Sequence, residues 1–291
     1  MPNMEHINPE NDIISHSLTL PDQAGRKRSV IKEQDALDLA AKHNVSIHDI
    51  HLIALKKNIL PYRYIRNLES ITIDEQLKLL QSRVTVIGAG GLGGEVIILL
   101  ARLGIGNLAV VDYDSFDETN LNRQALSSVD VIGKLKADIA KEAVKKINPA
   151  VNVTSFNSRL DASNVEKIST GSDVIIDALD NISDRFLLEE FAKKLEIPLV
   201  HGAVAGFEGQ IMTIFPDDAG MENIYGKKTK EIPPEKSPVS ILGVPAVTPA
   251  IIASYQVIEA VKIILKKGDQ LRNMLGYMDL AKFESRKLKF K

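Results

Sequence analysis

The sequence predicts an α/β protein built on a doubly wound, mainly parallel sheet, with a C-terminal antiparallel extension and a small N-terminal helical appendage. From Arg83 onward, short apolar runs alternate with amphipathic stretches of helical length, which is typical of parallel strands covered by helices on both faces. A glycine-rich turn, VIGAGGLGGEVI at 86–97, separates the first of these strands from the first helix. Together these observations favour a Rossmann-like arrangement, and 291 residues suffice for one large domain or two modest ones.

The predicted strands and helices of the α/β region alternate in chain order. The strands are RVTVI (83–87), NLAVVD (107–112), VNVTSF (151–156), SDVIIDAL (172–179) and PLVHGA (198–203), followed by GQIMTIF (209–215), LGYMDL (275–280) and KFESRKLKF (282–290) in the antiparallel extension. Helices are predicted over 92–103, 133–147, 184–195 and 248–267, the last opened by Thr248 as N-cap and Pro249 in the first turn. A long polar loop with five prolines covers 216–246.

The N-terminal sixty residues have a different character. Residues 1–28 mix Asn, Pro, His and Ser and predict a loose arm, whereas 29–60 hold two short amphipathic helices, the second with Ser46 and Asp49 as a capping box. Two such helices could form a DNA-binding helix-turn-helix, but the segment lacks the Arg/Lys clustering that DNA binding needs, so a packing appendage is expected. The large α/β domain is then expected over 61–291.

The overall composition argues against several classes of function. The formal net charge is −2, which gives no general attraction to nucleic acid or to an anionic membrane. No apolar run is expected to approach the roughly 20 residues of a membrane helix, and the polar N-terminus lacks a signal-peptide core, so a cytoplasmic location is expected. The chain contains no cysteine, which excludes disulfides, thiolate metal sites and a cysteine nucleophile.

The glycine-rich turn predicts a nucleotide-phosphate site. Gly88, Gly90 and Gly93 fit the spacing G-x-G-x-x-G between a strand and a helix, where backbone N–H groups and the helix N-terminus face an anion. Asp112 ends the next strand, where a carboxylate can accept hydrogen bonds from ribose hydroxyls. These features alone would suit NAD as well as ATP.

The residues after Asp112 favour ATP. Five amide or cationic side chains follow the second strand or open the next helix, namely Asn120, Arg123, Gln124, Lys134 and Lys136. Hydride transfer has no use for so many phosphate-directed groups, whereas nucleotidyl transfer needs them to neutralise charge on the phosphates. Asp180, in DALDN (177–181) after the fourth strand, is a hard oxygen ligand suited to Mg²⁺. Because parallel strands end at one edge of a sheet, these groups are expected in one crevice.

Across these motifs the sequence resembles the MoeB/ThiF/HesA family, the bacterial relatives of ubiquitin-activating enzymes. The resemblance covers about residues 62–290 in collinear order, and its motifs are RYIRN (63–67), RVTVIGAGGLG (83–93), GNLAVVDYDSFDETNLNRQ (106–124), GKLKA (133–137), INP (147–149), DALDN (177–181) and PLVHGAVAGFEGQI (198–211). It implies an adenylyltransferase that uses ATP and Mg²⁺ to activate the C-terminal Gly-Gly tail of a ubiquitin-like sulfur carrier of the MoaD or ThiS type. The pathway would be molybdenum- or tungsten-cofactor or thiamine biosynthesis.

The resemblance also implies roles for individual residues. The nucleotide would lie on Gly88, Gly90, Gly91 and Gly93, with its ribose at Asp112 and near Asp114. Its phosphates would contact Asn120, Arg123 and Lys136, with Gln124 also at the nucleotide, and Asp180 would hold Mg²⁺ with Asn181 nearby. Arg66 matches an arginine that, in this family, reaches across a homodimer into the partner's ATP site. Arg123, Lys136, Asp180 and Arg66 would therefore form the catalytic set.

Two departures from the family concern sulfur and zinc. Many relatives carry a cysteine before the last long helix, whereas the comparable position here falls near Val239 or Ser240. Many also bind structural zinc through two C-x-x-C pairs, whose places here read MENIYG (221–226) and DLAKFES (279–285), so no structural zinc is expected. Serine is a poor substitute for a thiol without an adjacent base. The enzyme is therefore expected to stop at the acyl-adenylate or to pass it to an external nucleophile, with sulfur supplied by a separate donor such as a cysteine desulfurase.

Three other functions stay open at this point. They are adenylation of a peptide or tRNA-linked carboxylate, a non-catalytic scaffold that binds a carrier protein, and an NAD-dependent oxidoreductase. Outside the implied site, Asp177 and His201 are expected to be structural, and Arg185 is open between a site contact and packing on its own helix. No nucleic-acid or membrane partner is expected.

Overall fold

The computed structural model of the chain describes residues 8–226 and 237–290. Its N-terminal part is a small folded unit made of helix α1 (Pro9–His16), strands β1 (Leu18–Pro21) and β2 (Lys27–Ile31), helices α2 (Glu33–His43) and α3 (Ile47–Lys56), and strand β3 (Leu60–Pro61). The prediction of a loose arm over 1–28 is therefore wrong for the described residues from 8 onward, because Asn8 caps α1 and β1 pairs antiparallel with β2. Residues 1–7 of that arm lie outside the described residues.

The N-terminal unit packs onto the rest of the chain. Ser46 and Asp49 form the predicted capping box at the start of α3. Ile13, Ile50 and other apolar side chains of this unit share one buried cluster with Ala150, which belongs to the large domain. Nδ1 of His48 lies 3.0 Å from the carbonyl oxygen of Ala150. These contacts fit the expected packing appendage better than a free DNA-reading helix pair.

The large domain contains one eight-stranded sheet. Its strands are β4 (Arg83–Ile87), β5 (Asn107–Val111), β6 (Asn152–Phe156), β7 (Val174–Asp177), β8 (Leu199–Ala205), β9 (Glu208–Ile214), β10 (Met274–Asp279) and β11 (Glu284–Lys289). The strand order is β11-β10-β9-β8-β7-β4-β5-β6, parallel from β8 to β6 and antiparallel from β8 to β11. The predicted Rossmann-like sheet with an antiparallel extension is confirmed. The chain reverses its direction of winding between β4 and β7, where open α/β sheets bind their ligands.

The helices of the large domain begin with a short 3-10 helix, Tyr62–Asn67. They continue with α4 (Ile73–Gln81), α5 (Gly91–Leu103), α6 (Lys136–Ile147), α7 (Val165–Ser169), α8 (Ile182–Lys194), α9 (Glu222–Tyr225), α10 (Pro238–Leu242) and α11 (Val247–Leu265). Several boundaries differ from the prediction. Helix α8 begins at Ile182 rather than at 184, α11 ends at Leu265 rather than at 267, and the predicted loop over 216–246 contains the short helices α9 and α10. Helix α6 begins at Lys136 rather than at 133, and α11 begins before Thr248, whose hydroxyl donates to the carbonyl oxygen of Gly206 instead of capping a helix.

Both faces of the parallel sheet are covered, as the apolar strands predict. Val84 and Val86 of β4 contribute to a cluster with α5, α6 and α11, whereas Ile87 joins a second cluster with α7 and α8 on the opposite face. Side chains alternate between the faces of a strand, so β4 must be apolar on both. These two layers hold the carboxyl ends of β4, β5 and β7 rigidly in place.

Helix α11 is longer and more apolar than the sequence expectation allowed. Its 19 residues have a mean hydropathy of 1.4, which meets the length and composition of a membrane span, so the expectation that no apolar run approaches that length needs correction. Yet 56% of an 18-residue stretch of this helix is buried inside the protein, and α11 packs against α5, β8 and β9. Such burial is typical of a core helix.

Candidate functional site

The glycine-rich loop joins β4 to α5 at the carboxyl edge of the sheet. Gly88 has φ +95°, and a Cβ at this position would lie 2.6 Å from the carbonyl oxygen of Ala178. A Cβ at Gly93 would lie 1.8 Å from the carbonyl oxygen of Gly88. Packing within the protein therefore requires glycine at both positions, and it draws the loop against the DALDN turn after β7.

Gly90 and Gly91 are glycines for a different reason. A Cβ at Gly90 would approach nothing closer than 3.6 Å, at the amide of Gln124, and one at Gly91 nothing closer than 3.7 Å. These are ordinary contact distances, so packing inside the chain does not demand glycine here. Glycine at such positions lets a ligand approach the backbone closely, as phosphates do at a helix N-terminus.

Asp112, directly after β5, ties the loop to the neighbouring strand. Its Oδ2 accepts from the backbone N–H of Ala89 at 2.7 Å, and its Oδ1 accepts from that of Asp114 at 2.8 Å. Burial raises the pKa of Asp112 from its ordinary value, and these backbone hydrogen bonds oppose the rise. Each oxygen keeps a further lone pair, so Asp112 has the position and the acceptor capacity for a ribose hydroxyl.

Lys136, the first residue of α6, enters the same crevice from the side. Its side chain is 8% exposed, and Nζ lies 3.1 Å from Oδ2 of Asp114, whose side chain is 49% exposed. The Lys136 backbone N–H also donates to the carbonyl oxygen of Asp114. The ammonium group is thus held at the crevice by a half-exposed carboxylate.

The segment 118–124 lies beside the glycine loop. Asn120 is buried, and its Oδ1 accepts from the backbone N–H of Asp117, so its contact with a phosphate stays a prediction. Arg123 donates from Nη1 to the carbonyl oxygen of Thr119 and to Oδ1 of Asn122, both at 2.9 Å. Within residues 8–226 and 237–290 it forms no ion pair, so its positive charge is free for an anion.

Gln124 supplies a second unsatisfied group. The residue is buried, and its Oε1 has no hydrogen-bond partner among the described residues. Its amide lies next to Gly90 of the loop. A buried acceptor without a donor is rare in folded proteins. A ribose hydroxyl or an amino group of a bound nucleotide would supply the missing donor.

The DALDN turn faces the loop from β7. Asp180 is exposed, and its only close contact in the described part of the chain is Nδ2 of Asn181 at 3.5 Å. Asn181, not Asp180, caps α8, since its Oδ1 accepts from the backbone N–H of Asp184 at 2.8 Å. This leaves the Asp180 carboxylate available for a metal, and a direct contact of Asn181 with the nucleotide stays a prediction.

Negative charge accumulates at this edge of the sheet. The carboxylate of Asp114 raises the pKa of Tyr113, with a smaller contribution from Asp180. No group of three or more His, Asp or Glu side chains that could hold a metal ion occurs among the described residues. Mg²⁺ is usually bound by one or two carboxylates plus substrate phosphates, and the exposed carboxylate of Asp180 is a ligand of that type, so Mg²⁺ binding at Asp180 stays a prediction.

Arg66 is the one predicted site residue that the fold places elsewhere. It is exposed on the 3-10 helix Tyr62–Asn67, whose Tyr64 hydroxyl accepts from Asn148 at 2.8 Å and packs closely on Gly104. Gly104 follows the C-terminal end of α5, at the opposite edge of the sheet from the glycine loop. Arg66 therefore does not join the crevice of its own chain.

One group of residues was not predicted as part of the site. Asp177, Arg185, His201 and Tyr225 form a closed network behind the DALDN turn. Burial lowers the pKa of the fully buried His201 and raises that of Tyr225. Asp177 and His201 are structural, as expected, and Arg185 packs inside rather than facing the crevice. Tyr225 lies 24 residues beyond His201, in a region that the sequence predicted as a loop, and no local sequence signal joins them.

The structure describes part of the segment around Val239 and Ser240, where the resemblance places a cysteine in many relatives. Residues 227–236 of the predicted loop 216–246 lie outside the described residues. Val239 and Ser240 belong to α10, which Ser237 caps, and the backbone N–H of Gly206 donates to the carbonyl oxygen of Gly243. No cysteine occurs anywhere in the sequence.

Comparison with known proteins gives three results. The profile of the ThiF family matches residues 62–291. The chain is 38% identical over 219 residues to the SAMP-activating enzyme E1 of Haloferax volcanii, covering 75% of this chain and 80% of that protein. It is 39% identical over 199 residues to the probable molybdopterin-synthase adenylyltransferase of Porphyra purpurea, covering 68% of this chain but only 52% of that protein, about half its length.

Solved structures share the fold. The crystal structure of E. coli MccB with ATP superposes with a TM-score of 0.66 at 18% identity, over 88% of this chain and 79% of that one. At this identity the likeness concerns the fold alone.

Proposed function

This chain belongs to the ThiF family, and from that membership together with the geometry of the crevice we propose that it is an ATP-dependent adenylyltransferase. Its substrate is the C-terminal glycine carboxylate of a ubiquitin-like sulfur-carrier protein. The products are the carrier acyl-adenylate and pyrophosphate, and the pathway is molybdenum- or tungsten-cofactor or thiamine biosynthesis.

The observation that carries the proposal is the set of unsatisfied polar groups in one crevice. Among the described residues Arg123 has no carboxylate partner, Gln124 has a buried acceptor without a donor, and Asp180 has no cation. The segment with Arg123 and the turn with Asp180 both contact the glycine loop, and a ligand that carries phosphates and a metal would use both charges. A dinucleotide could use the cation, but hydride transfer has no need of the carboxylate as a metal ligand.

The residues then have distinct tasks in the transfer. The glycine loop and Asp112 hold the nucleotide, and Arg123 and Lys136 neutralise charge on the phosphates as pyrophosphate leaves. Asp180 would hold Mg²⁺, which supplies further neutralisation of the phosphate oxygens when bound. The carrier carboxylate is already a nucleophile and attacks the α-phosphorus in line, so positioning suffices and no general base is required.

The reaction ends at the acyl-adenylate on this protein, because the chain has no thiol to accept the acyl group. The adenylate passes to an external nucleophile, and sulfur comes from a separate donor such as a cysteine desulfurase.

An exposed apolar surface near the crevice could bind a folded carrier. Phe207, in the β8–β9 turn, is exposed together with Ile241 and Leu242 of α10, which packs against that turn.

A homodimer would bring Arg66 to the site. Helix α11 exposes an apolar stripe of Val247, Ile251, Tyr255 and Ile258. The start of α11 lies at the glycine loop, where Pro249 contacts the Gly91 position. The 19 residues of α11 make it about 28 Å long. Just beyond its C-terminal end, Nζ of Lys267 donates to the carbonyl oxygen of Ser70 at 3.0 Å.

Antiparallel packing of two α11 stripes about a two-fold axis is the simplest closed arrangement. It would place the segment that carries Arg66 of one copy beside the glycine loop of the other. This supports a role for Arg66 in the partner's crevice, since it lies too far from the crevice of its own chain.

The proposal is tested by ATP–pyrophosphate exchange with candidate carriers that end in Gly-Gly. Arg123→Ala and Asp180→Ala should each abolish exchange, while Lys134→Ala, which removes an exposed lysine two residues from Lys136, should leave it within about twofold because a solvated surface charge contributes little. A thiol-directed reagent should have no effect. Exchange that survives both crevice substitutions would remove the site assignment.

A further inference from the structure

The four-residue network behind the DALDN turn is closed. Nδ1 of His201 lies 2.7 Å from Oδ2 of Asp177, and Nε2 lies 3.2 Å from the hydroxyl of Tyr225. Because a carboxylate only accepts, Nδ1 carries the proton and Nε2 accepts from Tyr225. The Tyr225 hydroxyl in turn accepts from Nη1 of Arg185 at 2.7 Å and from Nε2 of Gln210 at 2.9 Å.

The network ends on the backbone of a single residue, Leu179. The backbone N–H of Leu179 donates to Oδ1 of Asp177 at 2.9 Å, and its carbonyl oxygen accepts from Nη2 of Arg185 at 2.6 Å. Leu179 directly precedes Asp180. The side chain of Asp180 is exposed and has almost no contacts of its own, so the backbone of Leu179 sets the position of the Cα and Cβ from which its carboxylate reaches out.

We propose that Tyr225 is a positioning residue for Asp180. It acts on the backbone of Leu179 through Arg185, and through His201 and Asp177. The inference rests on the proposed function, because it takes Asp180 as the Mg²⁺ ligand. It adds a residue from α9, outside the parallel sheet, to the determinants of the metal site.

The hydroxyl of Tyr225 is the part that matters. Within the described residues, Nε of Arg185 has no hydrogen-bond partner, so the guanidinium is held mainly through Nη1 and Nη2. Removing the hydroxyl would leave Nη1 of Arg185 and Nε2 of His201 without partners inside the protein. Buried groups without partners rearrange to find them. Arg185 contacts the carbonyl oxygen of Leu179 directly, and His201 holds Asp177, which accepts from the backbone N–H of Leu179, so both movements would reach the backbone of Leu179.

The test compares Tyr225→Phe with the wild-type full-length chain, using ATP and Mg²⁺ alone, so that no carrier is needed. Titration calorimetry gives the ATP affinity at a series of Mg²⁺ concentrations and in EDTA. We expect the Mg²⁺ concentration for half-maximal enhancement of ATP binding to rise about tenfold, the usual loss when a residue supporting a metal ligand is removed. ATP affinity in EDTA should change by less than about twofold. Tyr62→Phe, at an exposed tyrosine, is the matched control and should behave as wild type.

Two further variants make the result decisive. Arg185→Lys keeps the charge but cannot bridge Tyr225 and Leu179 at once, and it should reproduce the Mg²⁺ shift even if Tyr225→Phe folds poorly. Asp180→Asn should remove the Mg²⁺ effect. The inference is overturned if Asp180→Asn removes it while Tyr225→Phe and Arg185→Lys leave it intact, or if these two variants weaken ATP binding equally with and without Mg²⁺. An Asp180→Asn variant with normal Mg²⁺ dependence would overturn the site assignment itself, whereas failed carrier adenylation alone would not touch this measurement.

Discussion

The crevice at the carboxyl edge of the sheet and the junction with the N-terminal unit at the opposite edge both contain polar atoms without partners. In the crevice these belong to Gln124, and the charges of Arg123 and Asp180 are likewise unpaired among the described residues. At the junction they are Nδ1 and Nε2 of His51, which is fully buried beside Tyr64.

The difference between the two regions is access. Asp180 is exposed and Gly90 and Gly91 are half-buried, so a ligand can reach this edge of the sheet, and the buried Gln124 lies next to Gly90. His51 is 0% exposed, so no ligand can reach it and its missing hydrogen bonds are a cost to folding. An unpaired polar group therefore indicates function only where the structure also provides a way in.

The largest effect is expected inside the glycine loop, where packing and binding can be separated. Gly93→Ala would force a Cβ to 1.8 Å from the carbonyl oxygen of Gly88, and neither backbone can yield without moving β4 or α5. We expect the free energy of unfolding to fall by about 3 kcal/mol or the protein to be recovered insoluble. Chemical denaturation followed by circular dichroism measures this.

Gly91→Ala is the matched control, because a Cβ there meets only contacts of 3.7 Å or longer. Its free energy of unfolding should stay within about 0.5 kcal/mol of wild type, given the better helix propensity of alanine. Equal destabilisation by the two substitutions would mean that the loop is not packed as described.

A smaller effect distinguishes the two cations of the crevice. Arg123→Ala removes a charge without an ion-pair partner, so ATP affinity should fall about 10- to 30-fold, the worth of one charge-assisted hydrogen bond of about 2 kcal/mol. The melting temperature of Arg123→Ala should change little, because the variant loses only the exposed hydrogen bonds to Thr119 and Asn122. Lys136→Met should weaken ATP binding as well, but it should also lower stability by about 1 kcal/mol, a value kept small because Asp114 is half exposed. Calorimetric ATP titration and thermal melts of both variants check this, and an ATP affinity that Arg123→Ala leaves unchanged would show that this charge does not contact the nucleotide.

Much of the crevice could be predicted from sequence because its parts are local. Gly88, Asp112 and Asp180 each follow the end of a parallel strand, and Gly93 lies in the first turn of the helix after β4; apolar parallel strands bring their ends to one edge of the sheet. The fold class and the family were predicted for the same reason and are confirmed. The site roles themselves stay predictions.

The parts that sequence reasoning missed depend on contacts between distant residues. Thr248 has the features of an N-cap, yet its hydroxyl is taken by Gly206, 42 residues away, so α11 starts earlier. Tyr225 meets Arg185 across 40 residues. The N-terminal arm lacks a long apolar period, but Ile13 and Ile31 are buried once α1 and β2 meet α2 and α3. Propensity and spacing cannot predict such pairings, because tertiary packing decides them.

At pH 7 the smallest effect is expected at His51, in the junction with the N-terminal unit, where a substitution should stabilise the protein. His51→Leu removes two unpaired ring nitrogens while filling nearly the same volume, so the free energy of unfolding should rise by about 1 kcal/mol at pH 7. Burial lowers the pKa of His51 from 6.5 to about 3. Between these values the unfolded chain binds a proton that the folded chain refuses, so wild-type stability falls as the pH drops, by about 1.4 kcal/mol per pH unit.

His51→Leu escapes this loss, so its advantage over wild type should grow by about 2 kcal/mol between pH 7 and pH 5. Urea unfolding of both proteins at the two pH values measures the difference, in which the contributions of the other histidines cancel. His16→Gln, at an exposed histidine, should show no such growth. If the advantage of His51→Leu is the same at both pH values, His51 takes up a proton in the folded state as readily as in the unfolded one. The junction would then be open to water, and the contrast with the crevice would disappear.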